Sequence, residues 1–81
     1  MKNNYKFVAM NGVEQTHDSF RGAFKAMFDW VKAQFAAGGI SLQVLETAIW
    51  IETPEHRPIY FYDARDLAID LGILVDGKFV E

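Results

Sequence analysis

Between Ser19 and Gly39 one pattern leaves the chain little freedom. Phe20, Phe24, Met27, Phe28, Val31 and Phe35 recur at spacings of three and four, which gathers them on one side of a helix. Asp18 or Ser19 can accept the first free backbone N–H groups. Gly38 and Gly39 can adopt the left-handed conformation that stops a helix. A long helix with an apolar stripe needs a second layer to cover it. The chain has 81 residues and no cysteine, so neither a disulfide nor a thiolate zinc site can help hold that layer. One domain spanning residues 1–81 is the expectation, and its stability rests on aromatic packing or on association with another chain.

The other sides of this helix carry information too. At about 100° per residue, Arg21, Lys25, Asp29 and Lys32 share a narrow polar arc. Gly22, Ala26, Ala33 and Ala37 fall on a separate arc of small residues with Trp30 beside them. Apolar and small surface together exceeds the stripe of about 100° that a helix lying on one sheet must hide. The small-residue arc is therefore a candidate surface for self-association.

The remaining segments read as short strands and turns. "YKFVAMNGVEQT" predicts a hairpin around a two-residue Asn11–Gly12 turn, whose positions both favour positive φ. "ISLQVLETAIWIET" keeps both a helical spacing (Leu42, Leu45, Ile49) and a strand spacing (Leu45, Thr47, Ile49, Ile51), and the favoured reading is a helical turn from Ser41 to Glu46 followed by a strand from Ala48 to Thr53. "PEHR" then turns the chain, and the aromatic "PIYFY" returns as a strand. That second hairpin is expected at the centre of the sheet. "DARDLAIDLG" predicts a second helix, with Asp63 as N-cap, a buried stripe of Ala64, Leu67, Ala68 and Leu71, and Gly72 as its stop. Asp76–Gly77 marks a final turn between Leu74–Val75 and Phe79–Val80. The order β-β-α-β-β-α-β predicts a small two-layer α+β domain. Its antiparallel sheet has four or five short strands, with one long and one short helix on one face.

Composition narrows the function. With 51% hydrophobic and 23% charged residues the chain is globular rather than disordered. Its net charge of −3 argues against direct nucleic-acid binding. That charge is unevenly spread. Residues 1–45 carry five basic and three acidic side chains, a net of +2, and residues 46–81 carry three basic and eight acidic, a net of −5. No uninterrupted apolar stretch suits a secretory signal or a membrane span, so a cytoplasmic protein without membrane association is expected.

Few residues suggest chemistry. His17 and His56 lack the close spacing of a zinc pair, and there is no calcium loop, nucleophile elbow or phosphate-binding glycine loop. No catalytic, metal or cofactor site is therefore assigned. Glu52 with His56 is the one pair on which a small enzyme could be built. Arg21, Lys25 and Lys32 read as a solvated face. Asp63, Asp66 and Asp70, joined by Glu52 and Glu55, form a candidate acidic edge for a partner. Trp50 alternates with Ile49 and Ile51, so it faces away from the helices. Tyr60 or Phe61 would join it there, unless the C-terminal segment folds over that side.

Two classes of function follow. The first is an acidic, non-enzymatic protein-binding module whose carboxylates stand in for phosphate on a nucleic-acid-binding protein. In size, charge and α+β character the chain resembles inhibitors carried by phages and other mobile elements, anti-CRISPR proteins among them, though no motif ties it to one family. The second is a homodimeric accessory protein that pairs through the Gly22/Ala26/Trp30/Ala33/Ala37 surface or through the sheet face that holds Trp50.

Overall fold

The computed structural model describes residues 4–10 and 12–80. It contains strands β1 (Tyr5–Ala9) and β2 (Glu14–His17), helices α1 (Phe20–Ala36) and α2 (Leu42–Thr47), strands β3 (Ile49–Glu52) and β4 (Pro58–Tyr60), helix α3 (Phe61–Asp70), and strands β5 (Leu74–Val75) and β6 (Lys78–Phe79). The first four strands form one antiparallel sheet in the order β2-β1-β3-β4, and β5 and β6 form a separate pair. The two-layer α+β architecture and the order of elements are those expected. A third, short helix is added at α2, within the stretch whose favoured reading is a helical turn.

The centre of the sheet differs from expectation. β1 and β3 occupy it, and β4 is an edge. The reason is burial. Phe7, Ala9, Ile49 and Ile51 are all buried, and Phe7 stands opposite Ile51 and Ala9 opposite Ile49 in the β1–β3 ladder. This inner pair meets the helices, whereas β4 supplies only half-buried Ile59 to the core. With Phe24 and Met27 of α1, Phe7, Ile49 and Ile51 are the largest fully buried side chains. Each such side chain contributes about 1.5–3 kcal/mol by leaving water.

Local signals set the helix ends. The Ser19 hydroxyl accepts from the Gly22 N–H at 3.1 Å. Ser41 caps α2 through the Val44 N–H at 3.4 Å. α1 and α3 finish alike, with Gly38 at φ 73° and Gly72 at φ 75°. Beyond these glycines the Gly39 N–H donates to the Gln34 carbonyl and the Ile73 N–H to the Ala68 carbonyl. Only a residue free of a Cβ reaches that conformation cheaply. In the first hairpin the Ala9 N–H donates to the Val13 carbonyl. Asn11, the first residue of the expected turn, lies outside the described residues.

The start of α3 departs from the sequence reading. The helix begins at Phe61, its cap is Tyr60, and no side chain caps it. Asp63 is therefore the third helical residue and not the N-cap, and "PIYFY" is split between a strand and a helix. Phe61 decides this. It is buried with Ala64 and Ala68 on one helical stripe, and tertiary burial overrides the strand preference of consecutive aromatics. Leu67 and Leu71, expected on that stripe, are 37% and 58% exposed. On α1, Phe35 is likewise outside the core at 56% exposure, and Ala23 is fully buried in its stripe.

The C-terminal pair β5–β6 packs on the helical layer. The Phe79 ring stacks on Phe24 with centroids 6.5 Å apart. The Arg21 guanidinium and Lys25 ammonium lie over the same ring at 4.8 and 5.1 Å, and Arg21 also donates to the Val80 carbonyl. Arg21 and Lys25 of the polar arc thus clamp the C-terminal segment, whereas Lys32 lies over the Phe28 ring. That segment does not cover the sheet. The molecule measures 39 × 29 × 17 Å, and its thin dimension accommodates one sheet and one layer of helices, each helix about 10–12 Å across.

Candidate functional site

Two surfaces stand out, one on each side of the molecule. The first is the sheet face turned away from the helices. Side chains alternate across a strand, so the burial of Phe7, Ala9, Ile49 and Ile51 sends Lys6, Val8, Trp50 and Glu52 to the opposite side. The strand register arranges them in rows. Val8 lies between Glu14 and Trp50, and Trp50 lies between Val8 and Tyr60. The next row runs Thr16, Lys6, Glu52, Pro58. Trp50 and Tyr60 touch, with ring centroids 6.0 Å apart, and neither belongs to the buried core or to the side chains packed on it. Tyr60, not Phe61, is the aromatic that joins Trp50.

At one end of this face lies an open polar depression of about 290 Å³, lined by Asn4, Lys6, Thr16, Glu52, Thr53, Pro54 and His56. Its geometry comes from the hairpin turn. The Thr53 N–H donates to the Arg57 carbonyl and the His56 N–H to the Thr53 carbonyl. His56 sits at φ 64°, a left-handed conformation that costs a non-glycine residue about 1 kcal/mol or more. Its ring Nδ1 is 2.9 Å from Glu52 Oε1. This hydrogen bond, with help from the charges of Lys6 and His56, holds the Glu52 carboxyl below its ordinary range. Lys6 also pairs with Glu14 at 3.4 Å.

The second surface is the outer side of α3. Asp63, Asp66 and Asp70 are all exposed. At about 100° per residue they fall within about 60° of one another, opposite Phe61, Ala64 and Ala68. Leu67 and Leu71 flank this stripe. The structure brings these three aspartates together and sets Glu52 apart from them, on the far side of the sheet, with exposed Glu55 in the hairpin turn. The five residues of the acidic edge do not share one surface.

The small-residue arc of α1 is divided as well. A Cβ on Gly22 would stand 3.3 Å from both Cβ and Nδ1 of His17, so this glycine is the point where α1 meets β2. Ala26 and Trp30 are half-buried against the core, and Trp30 meets the Phe7 ring edge-on at 6.2 Å. Ala33 and Ala37 remain exposed. Lys6 and Val8 are not singled out by the sequence reading, and Leu67 and Leu71 are placed by it in the core rather than on a surface. The alternation within "YKFVA" places Lys6 and Val8 on one side, but only the pairing of β1 with β3 sets them beside Trp50 and Glu52.

Among the described residues no group of three or more histidine, aspartate or glutamate side chains is placed to hold a metal ion, and no helix is long and apolar enough to cross a membrane. No protein-family model matches the chain, and comparison with curated proteins and with solved structures finds no match either.

Proposed function

We propose that this chain is a non-enzymatic protein-binding module that docks the outer face of α3 on a basic, nucleic-acid-binding surface of another protein and so occupies it, as inhibitors borne by phages and other mobile elements do. The observation that carries this reading is the exposure of Leu67 and Leu71 beside Asp63, Asp66 and Asp70. Protein interfaces combine apolar contact with polar and charged surroundings. Here the aspartates form a strip of one sign, with the leucines along one edge and exposed Ile69 along the other. Arg65 is the single cation on the helix, and it lies 5.1 Å over the Tyr62 ring. A partner rich in lysine and arginine would be drawn in by this charge and held by the leucines.

Acid–base chemistry at Glu52 and His56 has weaker support. The His56 side chain is 85% exposed, so nothing excludes water from the pair or sharpens its electrostatics. The protein-binding reading is tested by affinity capture from cells that make the protein. A partner should be retained by the wild-type chain and lost by Leu67→Ser/Leu71→Ser and by Asp63→Asn/Asp66→Asn/Asp70→Asn, and its retention should weaken with salt. Failure to retain any partner, or equal retention by all three proteins at every ionic strength, overturns the reading.

A further inference from the structure

The exposed sheet face is complementary to itself. We propose that two copies of this chain associate through it, face to face, about a two-fold axis parallel to the strands and midway between β1 and β3. That line bisects the sheet, because β1 and β3 are its inner strands. Rotation about it lays β1 of one copy over β3 of the other and β2 over β4, while each row of side chains stays at its own level. The register then dictates every facing pair. Val8 faces the second copy's Trp50, and Trp50 faces its Val8, so a small side chain meets a large one twice. Lys6 faces the second copy's Glu52, and Glu52 faces its Lys6. Glu14 faces Tyr60, where the carboxylate can accept from the phenol, and Thr16 faces Pro58. These assignments follow directly from the cross-strand partners within one chain.

No like charges meet in this arrangement, and two ion pairs form. A two-fold axis perpendicular to the strands instead lays the Val8–Trp50–Tyr60 row over the Lys6–Glu52 row and sets charges against rings. Aligned packing of two sheets about 10 Å apart interdigitates side chains of this kind. The occupant is argued from charge. Lys6 is offset by Glu14 at 3.4 Å, and Glu52 is held by His56 at 2.9 Å. A face without a large surplus of either sign has little to attract a strongly basic or acidic partner, whereas alternating charges suit an isologous contact. The chain also lacks cysteine, and association is one of the few means by which so small a domain adds to its core. This contact uses neither α3 nor its aspartates, so it stands apart from the function proposed above.

The test is sedimentation equilibrium of the full chain with its charge-swapped variants, each checked for folding by circular dichroism. The wild type should be a dimer. Lys6→Glu alone sets glutamates against glutamates across the axis, and Glu52→Lys alone sets lysines against lysines, so each should be monomeric. An equimolar mixture of the two should restore a dimer containing one of each, since residue 6 of either copy then faces an opposite charge at residue 52. No effect inside one chain can produce that recovery. Trp50→Glu should be monomeric and unaffected by mixing. A wild-type monomer at about 1 mM, single variants that remain dimeric, or a mixture that stays monomeric would each overturn the proposal.

Discussion

The open sheet face and the outer face of α3 lie on opposite sides of the same two layers, yet they differ in kind. The sheet face is aromatic, with Trp50 against Tyr60, and its charges are interleaved as Lys6, Glu14 and Glu52. The α3 face is aliphatic, and its three aspartates have one sign. A surface of balanced charge suits contact with a copy of itself, and one of a single sign suits a molecule of opposite charge. The contrast has a structural origin. Neighbouring strands come from distant parts of the chain and mix basic N-terminal with acidic C-terminal residues, whereas one helix draws its whole surface from the acidic half.

The most damaging change lies beneath both surfaces. Phe24→Ala empties a fully buried ring site and should cost about 3–5 kcal/mol in urea denaturation, which abolishes both faces together. A loss below about 1 kcal/mol would mean that this core does not couple the layers. Next comes the junction of α1 with β2. Gly22→Ala gains helix propensity of up to about 1 kcal/mol, but its methyl meets His17 at 3.3 Å. The His17 ring has little room to retreat, because its Nε2 is enclosed. Overpacking should win by about 1 kcal/mol net, and a stabilised variant would show that the helix can lift from the hairpin.

Smaller effects distinguish the faces themselves. Asp63 stands in the first turn of α3, where the helix dipole favours an anion, and Asp70 stands at the end, where it does not. Asp63→Asn should therefore lower stability by about 0.3–1 kcal/mol and Asp70→Asn should raise it by a similar amount. Equal signs would mean that the row behaves as a uniform patch. Neither change should alter self-association through the sheet. The smallest effect concerns pH. The Glu52 carboxyl is held below its usual value of 4.5, first by its hydrogen bond to His56. Its contribution to stability is complete above that value and is lost as pH falls through the lower folded-state value. Glu52→Gln should flatten this part of the stability–pH curve, with no change near neutrality in the slope. An unchanged acid limb would remove Glu52 from the account.

Much of the fold was legible because its signals are local. Ser19, the aromatic spacing of α1 and Gly38 each act within one or two turns of helix. Asp76, at φ 52°, and Gly77, at φ 75°, likewise make the expected turn between β5 and β6. The candidate surfaces were less legible. Trp50 could be placed opposite the helices by alternation alone, but its neighbours depend on register with strands far away in the chain. The aspartates could be placed on one side of α3, but not the leucines. Leu67 and Leu71 keep a helical period with Ala64 and Ala68, and periodicity cannot tell which edge of a stripe a neighbouring element will cover.

Most segments declare themselves helix, strand or turn from the chain alone, because backbone preferences and contacts a few residues apart settle them; Phe61 and Tyr62, read as strand and found in α3, do not. Packing of the whole chain sets which strands lie at the centre, turns Phe61 inward while Tyr60 and Trp50 stay out, and brings Arg21 and Lys25 over Phe79. These outcomes are set by competition for a limited buried volume among residues distant in the chain. No single segment carries the result of that competition.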